Sequence, residues 1–129
     1  TLFVADHANG LFAIDLATRA ITPMDPPAGS TLVGLDGMVA VPGGLAAVQN
    51  GVQPERVVRI ELAPDLAQVT GVSVLASGQP HLADLALIAL VNGLPTAIGG
   101  AGWAGFDPAA LPAPPAHTVR LFQISLPQP

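Results

Sequence analysis

The strongest constraint on this chain is a phrase that it repeats. Between Thr1 and Asp15, a short apolar strand closes on a polar pair and a glycine, and a second apolar strand closes on an acid. Between Gly44 and Glu61 the same order returns, with Gln49-Asn50-Gly51 at the first closure and a short insert before Arg56. The interval is roughly 45 residues, and several short strands per unit at that period are the mark of a β-propeller blade. The expected fold is therefore all-β.

Reading along the chain divides it into three units. Residues 1–25 hold the end of one blade: strands at Leu2–Asp6, Leu11–Asp15 and Ala20–Met24, the first two joined at Asn9-Gly10, where both residues tolerate positive φ. Asp25–Ser30 contains two prolines, which lack ladder donors, and reads as a crossing between blades. Residues 32–76 form one full blade: Leu35–Val41 innermost, a Pro42-Gly43-Gly44 turn, then Leu45–Gln49, Arg56–Leu62 and an outer strand at Gln68–Leu75. Alternation in the third of these strands suggests one more polar face, carrying Val57, Arg59 and Glu61. Residues 82–127 form the last blade. Its opening segment, Ala83–Val91, has spacing that would also suit a helix, but the repeat argues for a strand with Asn92-Gly93 as its hairpin. Thr96–Gly100 and Val119–Leu126 follow as strands, separated by a Pro- and Ala-rich loop over Phe106–Pro115.

About three blades fall short of the roughly four to eight that a closed propeller needs. The chain starts without Met, within a strand. The expectation is the C-terminal part of a longer protein, against the alternative of a complete small β-domain. An isolated segment of this kind would expose strand edges and an apolar blade face, so the expected partner is a missing N-terminal half or a second copy of the chain.

Charge narrows the function. The basic residues are four Arg with no Lys, against nine acids, for a net charge of −5. Nucleic-acid binding needs clustered cations, and so does docking on an anionic membrane surface; neither is expected. The most apolar run, Leu82–Leu94, is broken by Asp84, Asn92 and Gly93 and is too short to span a bilayer as a helix. There is no Cys, which removes disulfides, thiolate nucleophiles and Cys-based metal sites.

Several residues invite a chemical reading and also have a plainer one. His7, His81 and His117 lack metal-ligand spacing. His7 follows a strand end, where a solvated turn histidine is the plain reading. Asp6 beside His7 suggests a general base or a structural acid. Gln49 and Asn50 end a strand and could meet substrate, although hairpin chemistry alone accounts for Asn50-Gly51. Arg56 and Arg59 lie near Glu55 and Glu61, as surface ion pairs would. Trp103, the one tryptophan, reads as a plug between blades or a stacking platform. No serine has the Gly-x-Ser-x-Gly setting, and the glycines from Gly99 to Gly105 do not open a helix.

The ordered set Gly34-Leu35-Asp36-Gly37-Met38-Val39-Ala40, Gly44–Gly51 and Arg56–Ile60, preceded by Thr1–Asp6 and Gly10–Thr18, resembles the senescence marker protein / gluconolactonase / luciferin-regenerating enzyme family. The likeness is good over residues 1–76 and weaker beyond, and is nearest to bacterial, often exported, members of unassigned function. It implies a six-bladed propeller, of which this chain is the C-terminal half. It also implies a metal-dependent lactonase-type hydrolase with one divalent cation, calcium or zinc, in the central channel. Asp36, in the Asp36-Gly37 pair, matches the family's metal-ligating Asp; the partner Glu and Asn would lie before residue 1. Hard cations take oxygen ligands, and a glycine beside such an acid lets backbone approach the centre. Asp36 could equally be a turn acid that accepts local amides.

Where similar members show Asp-Glu-Pro-Thr, this chain reads Asp84-Leu85-Ala86-Leu87; where they show Asn-Ser-Gln-Trp, it reads Gly100-Ala101-Gly102-Trp103. Asp84 and Trp103 are retained and join Gln49 and Asn50 as substrate-contact candidates. The expected ligand is a small cyclic ester, with a non-catalytic propeller for binding or scaffolding as the alternative. The resemblance favours a periplasmic or secreted setting over the cytoplasm.

Overall fold

The computed structural model describes residues 1–80, 82–102 and 118–127. Among them there are ten strands and no helix, so none that could cross a membrane. The strands form three antiparallel sheets. Sheet I is β1 (Leu2–Asp6), β2 (Gly10–Ile14) and β3 (Ile21–Met24). Sheet II is β4 (Leu35–Val41), β5 (Gly44–Gln49), β6 (Arg56–Leu62) and β7 (Val69–Ser77). Sheet III is β8 (Ile88–Val91), β9 (Leu94–Gly99) and β10 (Arg120–Gln123). Each is a meander in which strands adjacent in sequence pair, and the first strands, β1, β4 and β8, lie next to one another across the sheets.

Local chemistry sets the turns. Pro42-Gly43 joins β4 to β5, with Gly43 at φ 75°, where only a residue without Cβ is at ease. Asn92-Gly93 joins β8 to β9 with both residues at positive φ, as a two-residue primed turn requires. The Asn9-Gly10 expectation is corrected. Asp6 pairs with Gly10, leaving His7-Ala8-Asn9 as the loop. The Asp6 carboxylate accepts from the Ala8 and Asn9 amides at 2.9 Å, so an acid that caps its own turn organises the hairpin.

Sheet II lies between the other two. One face (Leu45, Ala47, Val58, Ile60, Val69) packs on Leu11, Ala13 and Met24 of sheet I, and on Leu32. The other (Ala46, Val48, Val57) packs on Ile88 and Ala97 of sheet III, with Leu82, Leu85 and Ile124. The polar face expected for β6 is corrected accordingly. Val57, Val58 and Ile60 are all 0 % exposed, because a second sheet covers the side on which only Arg59 and Glu61 are polar.

The expected strand over Ala83–Val91 forms only from Ile88. Asp84 takes φ 56°, and the Ala86 amide and Leu87 carbonyl both bond Ile98, so two residues face one across the ladder. Likewise Val119–Leu126 shortens to β10, and Ile124 turns inward to donate its amide to the Pro95 carbonyl at 2.8 Å.

Candidate functional site

At the end of the sheets where β4 begins and β5 finishes, segments from all three sheets surround a cavity of about 290 Å³. Its walls are His7, Asp36, Asn50, Glu55, Asp84 and Leu85. His7 comes from the loop after β1, Asp36 from β4, Asn50 from the end of β5, and Asp84 and Leu85 from the approach to β8. Three carboxylates and one imidazole make the wall strongly polar, with no Lys or Arg among its described residues.

Backbone contact brings these segments together. A Cβ on Gly34 would stand 2.7 Å from the Gly51 Cα, and one on Gly37 would stand 2.7 Å from the Ile88 nitrogen. Side chains of any size would force the β4 region away from β5 and from β8. The Gly34 amide donates to the His7 carbonyl at 2.8 Å, tying the loop of sheet I to sheet II.

Asn50 is the hub. Its Nδ2 donates to Asp36 Oδ2 at 3.0 Å and to the Leu85 carbonyl at 2.8 Å, and its Oδ1 lies 3.1 Å from His7 Nε2. One amide thus links all three sheets. With Asn50 Oδ1 as acceptor, His7 presents Nε2–H to it. Glu55 accepts the Leu85 amide at 2.6 Å through Oε2, and Asp84 Oδ2 accepts the Gly102 amide. Each carboxylate therefore has one oxygen fixed by a neutral donor, which orients the acid without neutralising its charge.

Asp36, Asn50 and Asp84, three of the residues singled out in the sequence, share this cavity. Gln49 does not reach it. It is 0 % exposed, with Nε2 donating to the Thr31 and Val33 carbonyls at 3.0 and 2.6 Å and Oε1 accepting from Arg56 Nε at 2.7 Å. Those bonds use its polar atoms to pin the chain entering β4. Trp103, His81 and His117 lie outside the described residues. Asp6 is a turn acid: the amides of Asn9 and Ala8 hold its carboxyl below the ordinary range. Arg56 goes to Gln49 rather than to Glu55, and the ion pair described is Arg59–Glu61, at 3.9 Å.

The sequence reading missed Glu55 as a wall residue. It sits beside an arginine, where an ion pair is the obvious expectation, and its partner Leu85 is 30 residues away. No local pattern carries that pairing.

Asp36 is the one described residue that the resemblance matches to a cation ligand. Among the described residues, no three His, Cys, Asp or Glu side chains gather closely enough to hold an ion. The described residues do not by themselves make up a metal centre. No family model, no curated protein and no solved structure matches this chain.

Proposed function

We propose that the three sheets are consecutive blades of a β-propeller and that the cavity at their inner ends binds a small polar ligand. The observation that carries this reading is the convergence of His7, Asp36, Asn50 and Asp84, drawn from three separate sheets, on one cavity. Ligand sites favour clefts between structural units, with a few oriented polar groups.

The specific activity proposed is hydrolysis of a small cyclic ester of the lactone type. In it, Asp36 is one ligand of a calcium or zinc ion, and the remaining ligands lie outside the described residues. A second reading, recognition without catalysis, has its own support: Asp36 is already held by Asn50, and Asn50 by Leu85 and His7. A wall this fully bonded is preorganised to receive a ligand by hydrogen bonding alone.

Calorimetric titration of calcium and of zinc into the protein, beside Asp36→Ala, separates the two. One-site binding that weakens at least tenfold in the variant supports the metal reading, and a lactone screen then tests the activity. A folded wild type that binds neither ion sinks the metal-dependent hydrolase and leaves recognition.

A further inference from the structure

A second cavity lies between sheets II and III, at the end of the sheets opposite the polar one. The β4–β5 turn, at Pro42 and Gly43, stands on one side of it and Leu94, at the start of β9, on another. The bond from the Ile124 amide to the Pro95 carbonyl carries the chain after β10 past the same end, where Leu126 and Pro127 join the wall. The volume is about 700 Å³, within the range of small-molecule sites. The strand ends that flank residues 103–117, Gly99 and Arg120, pair at the end of sheet III away from this cavity.

The chemistry is the reverse of the polar cavity's. The side chains of the wall are apolar apart from Arg59 and Ser125, and Arg59 is the one charged residue among them. Alternation along β6 puts Arg59 on the same face as Val57, turned towards sheet III. Its side chain is 17 % exposed there. Arg59 Nη2 donates to the Pro42 carbonyl at 2.6 Å, which fixes the guanidinium at the wall. Glu61 Oε1 stands 3.9 Å from Nε, near enough to form an ion pair and too far to accept a hydrogen bond. Among the described residues, Nη1 and the second proton of Nη2 meet no acceptor. A guanidinium largely withdrawn from water favours an anionic partner, and its planar fork fits a carboxylate through two parallel bonds.

We propose that this cavity binds a small monocarboxylic acid with an aliphatic body. The carboxylate pairs with Arg59, and the body lies against Pro42, Leu94, Leu126 and Pro127. A ligand with several carboxylates fits poorly, because the wall offers one cation and Glu61 already stands beside it. The site shares no wall residue with the polar cavity and does not depend on the propeller reading.

The test is calorimetric titration of sodium octanoate into the full chain, with 1-octanol as its neutral counterpart, repeated with Arg59→Gln, Leu94→Glu and Asp36→Ala. Leu94 is 41 % exposed, so a glutamate there leaves the fold intact while placing a like charge against the ligand. Circular dichroism and a cooperative melt check each variant. The wild type is expected to bind one octanoate, and to bind octanol about tenfold or more weakly, as is Arg59→Gln to bind octanoate. Leu94→Glu is expected to weaken octanoate binding with Arg59 untouched, so it decides the matter if Arg59→Gln does not fold. Asp36→Ala is expected to bind octanoate as the wild type does. A folded wild type that ignores octanoate overturns the proposal, and so does equal binding of octanol. Undiminished binding by Arg59→Gln or Leu94→Glu, or lost binding in Asp36→Ala, overturns it by placing the ligand elsewhere. The calcium and zinc titrations of the polar cavity stand or fall separately.

Discussion

Asp6 and Asp15 do the same work at two turns. Asp15 Oδ1 accepts the Thr18 and Ala17 amides at 2.7 and 2.8 Å, as Asp6 does with Asn9 and Ala8. Bonds to the ionised form hold both carboxyls below their ordinary value of 3.8, led by the backbone amides of Asn9 and of Thr18. The sign follows from linkage. A depressed folded value means that the stabilisation is fully present above about pH 3.8 and is lost as pH falls through the folded value. Unfolding free energy measured across that acidic window should therefore fall more steeply in the wild type than in the double variant Asp6→Asn, Asp15→Asn; parallel slopes would count against the turns. At this scale the sequence was partly legible. The family resemblance singled out Asp36 and Asp84, and strand-end position singled out Asn50; the three share a cavity. Strand-end position also singled out Gln49, because a glutamine there reads identically whether it faces a ligand or, as here, carbonyls of the preceding segment. Glu55 escaped notice since its role depends on Leu85, far along the chain.

Elements were most legible where pattern and turn chemistry agreed. Leu35–Val41 and Arg56–Leu62 occupy the expected spans because Pro42-Gly43 and the run of β-branched residues leave little choice. Ala83–Val91 failed for a physical reason: a left-handed Asp84 and a two-to-one bulge against Ile98 interrupt a segment whose side chains give no hint of either. The seam between β4 and β8 depends on one missing side chain. Gly37→Ala would place a methyl 2.7 Å from the Ile88 nitrogen and 2.8 Å from the Leu87 Cα. Backbone cannot yield as a side-chain tip does, so the substitution should cost about 1–3 kcal/mol. Denaturant titration would read it as a lower midpoint, and an unchanged midpoint would mean that the two strands are not held this closely.

Across the whole molecule, protection should follow enclosure. β5 and β6 are paired on both edges and covered on both faces, whereas β3 and β10 are edge strands of their sheets among the described residues. Native-state hydrogen exchange should find the slowest amides in Ala46–Val48 and Val57–Ile60, and β3 and β10 opening earlier. Slower exchange in β10 than in β5 would contradict the sandwiched arrangement. The enclosed strands also differ in bulk. Ala46 and Ala47 stand back to back on β5, both 0 % exposed, opposite Arg59 and Val58 on β6. Sheet II is thus thin at this point of β5, with a single methyl group on each face. Both faces of this strand are filled, so a longer side chain at either position has to push a neighbouring sheet away. A few methylene groups added on β5 would therefore set how far apart the three sheets stand.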